Sequence, residues 1–298
     1  MRTVVTGASG FIGRSLTRSL LSSAHSVAEI NRVNEAGLFS DLNLVSRGDV
    51  KSLAVGLQKY NPDVIFHLAS NTSISASWES PFEFMSENIK LAENLLDAIE
   101  LSGTQPLLVL LSSSAVYDDS NDQIPETFRL APSSPYAISK LSTETIALRY
   151  SKTIIIRPFF TIGATRKGDV IDEWLSAINE IKLSGSQGIL KVGDLKLERD
   201  YLDVKESARL IIEIAERGSP GEIYNLCSGV GHKLEEVCKS LIQETQSAPL
   251  ISVQPTGWKD STVKRKVVGD ISKLKNLGIE PIFNLNESLK DIVRSKSN

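Results

Sequence analysis

A tyrosine and a lysine stand four residues apart in Tyr136-Ala137-Ile138-Ser139-Lys140, directly after Pro135. Proline at the first position of a helix brings a pre-set φ and lacks only an N–H that would be orphaned there, so the run predicts a helix with both side chains on one face. A phenol titrates at about 10 and an ammonium at about 10.4; a neighbouring cation favours the phenolate and draws the tyrosine toward a useful acid–base range. Upstream, Leu110-Leu111-Ser112-Ser113-Ser114-Ala115-Val116-Tyr117 ends an apolar run in hydroxyls. Ligands of open parallel sheets gather at such strand ends, where a serine can hold the oxygen that the tyrosine protonates. An isolated YxxxK is common on surface helices; its order after a glycine turn and a serine-ended strand is what gives it weight.

That glycine turn opens the chain. Val4-Val5-Thr6-Gly7-Ala8-Ser9-Gly10-Phe11-Ile12-Gly13 passes from an apolar run into a helical pattern with GxxGxxG spacing. The glycines allow a tight turn, close approach of a pyrophosphate and close packing of helix on strand, and the helix N-terminus offers free N–H groups to phosphates. Gly7, Ser9, Gly10, Phe11, Ile12 and Gly13 are therefore candidate cofactor ligands. At the end of the second apolar run stand Asn31 and Arg32. An acid there takes the ribose 2′-hydroxyl of NAD and a base accommodates the 2′-phosphate of NADP, so Arg32 favours NADP with NAD still open; the other reading is an arginine that points into solvent.

These residues need a scaffold, and the patterning supplies one. Strand-like runs at Thr3-Val5, Ser26-Ile30, Leu42-Val45, Val64-Leu68, Leu107-Leu111 and Thr153-Arg157 alternate with helical periodicity, as in Ile89, Ala92, Leu96 and Ile99. Such alternation predicts an α/β, doubly wound parallel sheet, the Rossmann arrangement, with residues 1–160 as the dinucleotide-binding domain. Residues 161–298 predict a smaller substrate-binding lobe with helices at Val170-Leu183, Lys205-Arg217, Lys233-Thr245 and Leu285-Arg294. Segments near 191–226, namely Lys191-Asp203 and Gly221-Leu226, are expected to return to the main domain.

The 298 residues carry 33 basic and 36 acidic side chains, a formal charge of −3, the wrong sign for a partner with a phosphate backbone. Cys227 and Cys238 have neither CxxC spacing nor a histidine cluster beside them, which predicts reduced thiols, no metal site and a cytoplasmic protein. No run approaches the ~20 apolar residues of a membrane span, and the first residues do not read as a leader.

Taken together, the pieces resemble the extended short-chain dehydrogenase/reductases that modify nucleotide sugars. The resemblance rests on Thr6-Gly13, on Pro62-Asp63-Val64-Ile65-Phe66-His67-Leu68-Ala69, Glu87-Asn88, Ser112-Ser114 and Pro135-Lys140, and on Arg157-Pro158-Phe159 and Arg199-Asp200-Tyr201. It implies Ser113, Tyr136 and Lys140 as the catalytic residues, and adds Leu68, Ala69 and Asn88 to the cofactor set, with Asn88 helping to order the site. It implies Ser70, Ser114, Phe159, Phe160 and Arg199 for a nucleotide-diphosphate-linked sugar, Arg199 on the diphosphate with Lys196 or Arg157 as a second cation. Arg157 reads equally as a buried structural residue, and His67 as a packing residue. It further implies a homodimer paired through the tyrosine helix and the helix before it, with Leu91, Leu95, Leu141, Ile146 and Leu148 serving that interface or the core.

Members that dehydrate the sugar carry an acid just after the catalytic hydroxyl residue; Ser114 and Ala115 stand there. Tyr224-Asn225-Leu226-Cys227-Ser228-Gly229 and Trp78-Glu79-Ser80-Pro81 are similar to stretches of GDP-4-keto-6-deoxymannose reductases. The expectation is hydride transfer to the ketone of a 4-keto-6-deoxyhexose, GDP-linked before dTDP-linked. A 4-epimerase with tightly held NAD and a non-catalytic dinucleotide sensor are the alternatives. Phe160 replaces the asparagine of the family's RPFN, Thr161-Arg166 lacks its GPG, and Ser46 stands in place of an aspartate for the adenine.

Overall fold

The computed structural model describes residues 1–30, 43–44, 49–184, 188–254 and 264–296. The first half runs β1 (Arg2–Thr6), α1 (Phe11–Ser22), β2 (Ser26–Ile30), β3 (Asn43–Leu44), α2 (Val50–Tyr60), β4 (Val64–His67), α3 (Ile74–Glu79), α4 (Pro81–Ser102), β5 (Leu107–Leu111), α5 (Pro135–Ala147) and β6 (Thr153–Pro158), with a 3-10 turn at Ser114–Val116. The second half adds β7 (Phe160–Ile162), α6 (Val170–Ser184), β8 (Ile189–Val192), β9 (Glu198–Asp203), α7 (Val204–Arg217), β10 (Ile223–Leu226), β11 (Gly231–Lys233), α8 (Leu234–Glu244), β12 (Leu250–Val253), β13 (Lys266–Val267), α9 (Ser272–Asn276) and α10 (Leu285–Lys296).

Continuous apolar strands demand cover on both faces, and a parallel sheet provides it. The order is β10-β6-β5-β4-β1-β2-β3 with every pairing parallel. This is the doubly wound order, and its reversal between β1 and β4 opens a crevice beyond the C-terminal ends of those strands. On one face α1 and α7 bury Leu16, Leu20, Leu210 and Ile214 against Val5, Val109 and Ile156; on the other, Leu53, Leu57, Leu96 and Ile99 of α2 and α4 lie on Val4, Ile65 and Leu108. Caps fix the helix starts: the Ser134 hydroxyl accepts from Ala137 N–H at α5, and Asp49 from Lys51 and Ser52 N–H at α2.

The smaller lobe gathers α6, α8 and α10 around Trp174, Leu175, Ile178, Leu241 and Leu289. One sequence expectation divides here. Ile223–Leu226 does join the main sheet beside β6, but Glu198–Asp203 pairs with β7, β11 and β13 in a separate four-stranded sheet, and Ile189–Val192 pairs with β12. A central strand with neighbours waiting on both sides has its hydrogen bonds satisfied locally. Of the residues offered for an interface, Leu95 is in the core and Ile146 packs against it, while Leu148 is exposed. No helix among the described residues is long and apolar enough to cross a membrane.

Candidate active site

The glycine turn leaves β1 at the crevice. Gly7 adopts φ +71°, and a Cβ there would lie 2.8 Å from Ala69 N, so the loop after β4 rests directly on the turn. A Cβ on Gly13 would fall 2.1 Å from the Gly7 carbonyl, which is why helix and turn can pack so closely. Gly10 is different: it caps α1 in extended conformation with no side-chain cap, and its Cβ would meet only the Gly7 carbonyl, at 3.1 Å. The first helical hydrogen bond, Arg14 N–H to the Gly10 carbonyl, begins after the N–H groups of Phe11, Ile12 and Gly13. A diphosphate fits this uncapped, side-chain-free helix end. Ser9 contributes its carbonyl to the Arg14 Nε–H at 2.8 Å. Thr6 Oγ accepts from Ala69 N–H at 3.1 Å and lies 2.8 Å from His67 Nδ1, so buried His67 helps hold the two strand ends together. Asn31, Arg32 and Ser46 lie outside the described residues.

Ser113, Tyr136 and Lys140 converge at the ends of β5 and α5. The Ser113 hydroxyl accepts from Ala115 N–H at 3.2 Å and interacts with the Tyr136 phenol. Phe84 meets the Tyr136 ring edge-on at 6.4 Å. Burial pushes the phenol's pKa up, while the Ser113 hydroxyl and the charge of Arg166 pull it back. The ammonium expected to act on the phenol is held elsewhere: Lys140 donates to the Ser70 hydroxyl at 2.8 Å and to the Leu111 carbonyl at 3.0 Å. Burial drives its pKa down to about 8 against the pull of the Glu144 carboxylate. Ser70, placed with the substrate by resemblance, thus joins the lysine.

Other expectations are redistributed. Asn88, read among the cofactor ligands, is buried and accepts from Asn71 N–H at 2.7 Å while donating to the Asn71 carbonyl at 3.1 Å and Ser139 Oγ at 2.9 Å. Its amide is committed to tying the loop after β4 onto α5. Phe159, read as a substrate contact, is buried with Tyr117, Ile124 and Cys227. Arg157 is withdrawn from any phosphate: 2% exposed, it makes a two-pronged pair with Glu144 at 2.9 and 2.7 Å and lies 4.7 Å from the Tyr117 ring centre. Ser114 is buried at the start of the 3-10 turn that follows Ser113. Phe160 stays 39% exposed, with the Arg199 guanidinium 5.3 Å above its ring and the Tyr201 ring 6.0 Å away.

Two cations escaped sequence reading. Arg166 sits 5.3 Å from the Phe11 ring centre and pairs with Asp169 at 3.1 Å, in the very segment that departs from the family's GPG. Lys264 reaches the carbonyls of Ala115 and Tyr117. Both contacts depend on folding between distant segments, and no local motif announces them.

A doubly wound crevice lined by an uncapped glycine turn, a serine, a buried tyrosine and a buried lysine suits proton transfer beside a bound dinucleotide. Residues 3–227 match the model of the NAD dependent epimerase/dehydratase family. The chain belongs to that family. Over 98% of its length and 96% of the relative's it is 29% identical to GDP-6-deoxy-D-mannose reductase of Pseudomonas aeruginosa. It is also 27% identical, over 75% of this chain and 70% of the relative, to dTDP-glucose 4,6-dehydratase of Neisseria meningitidis. Among solved structures, RMD from Pseudomonas aeruginosa complexed with NADPH superposes with a TM-score of 0.86 at 25% identity, covering 99% of this chain and 98% of that one. UDP-glucose 4-epimerase from Thermotoga maritima shares the fold, with a TM-score of 0.84 at 24% identity over 100% and 99% of the two chains.

Proposed function

We propose that this protein reduces the C4 ketone of a nucleotide-diphosphate-linked 4-keto-6-deoxyhexose, GDP-linked in preference to dTDP-linked, with NADPH as the reductant and NADH as the lesser one. The observation that carries the reading is the gathering of Ser113, Tyr136 and Lys140 beside the glycine turn, followed by Ser114 and Ala115 with no carboxylate side chain at those positions. Elimination of water needs a group that moves a proton there, and a methyl group cannot. The similarity to a GDP-6-deoxy-D-mannose reductase over nearly the whole of both chains supports the same reading.

The bound dinucleotide supplies the hydride. Ser113 donates a hydrogen bond to the ketone oxygen and orients it. Tyr136, protonated in its buried setting, gives its proton to that oxygen as negative charge develops. Lys140, held by Ser70 and the Leu111 carbonyl, keeps a positive charge beneath the tyrosine helix, and Arg199 faces the diphosphate. The exposed apolar side chains of α4 and α5, Phe82 and Ile138, support a homodimer paired through those helices, which light scattering would test.

The test is to mix the protein with NADPH or NADH, add GDP-, dTDP- and CDP-linked 4-keto-6-deoxyhexoses, and follow nicotinamide absorbance. Consumption of the reduced cofactor with one of them is expected. Interconversion of a nucleotide hexose without added reductant, and no consumption with any ketone, would replace the reductase by a 4-epimerase.

A further inference from the structure

The segment that departs from the family's GPG, Thr161-Arg166, folds back over the start of the chain. Gly163 lies so close to α1 and α7 that a Cβ there would fall 3.2 Å from Phe11 Cζ and 2.7 Å from Val204 Cγ1. Arg166 follows on a tight turn, its N–H on the Gly163 carbonyl at 3.1 Å, and its own carbonyl accepts from Lys296 at 3.5 Å. The backbone therefore aims the side chain at the glycine turn. The guanidinium lies 5.3 Å from the centre of the ring of Phe11, the first residue of α1.

The guanidinium is braced from its other edge as well. Asp169 meets it at Nε at 3.1 Å, and Asp169 is itself fixed at the start of α6, its carboxylate accepting from Asp172 N–H at 2.8 Å and its carbonyl from Glu173 N–H at 2.9 Å. Stacked on one ring and tied at one edge, the side chain has little rotamer freedom left to lose on binding. Its outer N–H groups have no hydrogen-bond partner among the described residues, and no second carboxylate there lies within 4.0 Å of it. The turn's own cation is folded back instead, Arg14 donating its Nε–H to the Ser9 carbonyl, and the first turn of α1 carries no acid. The charge of Arg166 also acts on the Tyr136 phenol. One cation thus serves both the turn and the tyrosine.

We propose that Arg166 is a ligand of the dinucleotide's diphosphate, holding it against the N-terminus of α1 from the side of the smaller lobe. This rests on the reading of the glycine turn as the dinucleotide site. The main-chain N–H groups of Phe11, Ile12 and Gly13 are neutral donors, whereas a guanidinium adds a full positive charge and a planar fork that matches two phosphate oxygens. The segment that lacks the family's GPG thereby contributes to cofactor affinity from outside the main sheet.

The test is isothermal titration calorimetry of the full chain with NADPH, NADH, ADP-ribose and GDP. ADP-ribose keeps the diphosphate and lacks the nicotinamide, and GDP offers a diphosphate of the substrate type. Arg166→Met should weaken the preferred dinucleotide and ADP-ribose by the same factor, about tenfold or more, with GDP affinity within about twofold and melting temperature little changed. Arg166→Lys, which keeps the charge without the fork, should recover part of the loss, and added salt should weaken wild type more steeply than Arg166→Met. Unchanged dinucleotide affinity in Arg166→Met overturns the proposal. So does a loss for NADPH that ADP-ribose does not share, which would place the contact at the nicotinamide, and a loss for GDP alone, which would give Arg166 to the substrate. A parallel loss of all four affinities and of melting temperature would overturn it too, making Arg166 a structural tie between Phe11 and α6. Each of these leaves the reductase reading standing, whereas a wild-type protein that binds neither NADPH nor NADH overturns both readings.

Discussion

The Lys140 ammonium is held 2.8 Å from the Ser70 hydroxyl, so the lysine of the YxxxK motif is tied to the loop after β4 as firmly as to its own helix. Loop and lysine are therefore one unit, and burial brings the cation's pKa down to about 8 from the ordinary lysine value of 10.5. Catalysis by reduction should fall as pH rises through about 8, where the ammonium loses its proton. Ser70→Ala removes an acceptor of the charged form and should move that alkaline limb to lower pH; Lys140→Arg should move it upward. A profile of kcat/KM against pH checks both.

The same shift has a consequence for stability. The folded protein releases this proton at about 8 and the unfolded chain near 10.5, so between those values the unfolded chain holds more protons. The residue's contribution to stability therefore rises with pH across that window, and below it the full cost of burying an ammonium is present. Urea unfolding of wild type and Lys140→Met at pH about 7 and about 9.5 should show the wild type gaining on the variant by up to a few kcal/mol at the higher pH. A gap that moves the other way would mean that folding raises the lysine's pKa, its hydrogen-bond partners stabilising the ammonium by more than burial costs it.

The glycine turn separates two roles that the spacing alone merges. Gly13→Ala forces a Cβ to 2.1 Å from the Gly7 carbonyl and should cost about 2 kcal/mol or more of stability through displaced backbone. Gly10→Ala meets one carbonyl at 3.1 Å at an allowed φ of −73°, so the fold should survive. Its methyl group would stand at the helix end proposed to take the dinucleotide's diphosphate, and NADPH affinity should drop about tenfold or more with little change in melting temperature. Thermal melts paired with nicotinamide fluorescence titrations distinguish the two variants.

Why these roles were readable from the sequence, and others were not, follows from range. The glycine turn, the serine-ended strand and the tyrosine helix are each written within a few consecutive residues, and capping and periodicity are local physics. The alternation of strands and helices carried the sheet, with β10 included. Strand β9 was misread because its pairing depends on β7, β11 and β13, which come from separate stretches of chain. Lys264 meets Ala115 across 149 residues of sequence, and Arg166 meets Phe11 only once the lobe is folded over the turn. Arginine beside a strand end reads alike whether it binds phosphate or a carboxylate; Glu144, on another element, decides it for Arg157.

That pair supplies the next prediction. Arg157 and Glu144 are 2% and 4% exposed and share two hydrogen bonds. Replacing one partner leaves the other charged and buried, so Glu144→Ala should destabilise the fold by about 3–5 kcal/mol. Because Arg157 also covers the Tyr117 ring and donates to the Glu126 carbonyl at 3.3 Å, the loss should spread to the turn after β5. Denaturant unfolding measures the first effect, and NADPH binding at a temperature where the variant is folded should stay within about twofold of wild type. A fall below about 1 kcal/mol would show the pair to be solvated in solution.

Asp200 lies next to the proposed diphosphate ligand Arg199 and is fully buried. It accepts from Ser228 N–H at 2.8 Å, Ser228 O–H at 2.6 Å, Gly229 N–H at 2.9 Å and Gly269 N–H at 3.2 Å, drawing β9, the end of β10 and the stretch after β13 onto one carboxylate. Burial outweighs those donors and raises its pKa from 3.8 to about 6. Between these values the folded protein holds more protons than the unfolded chain, so the residue's contribution to stability is full below 3.8 and is lost as pH rises through about 6. Asp200→Asn has no titration, and its amide N–H₂ faces donors, which should cost about 1–3 kcal/mol at any pH. The advantage of wild type over the variant should therefore be larger at pH about 4.5 than at pH about 7.5 in guanidinium unfolding. An advantage that grows with pH instead would mean that the hydrogen bonds dominate and the carboxylate is stabilised as an anion.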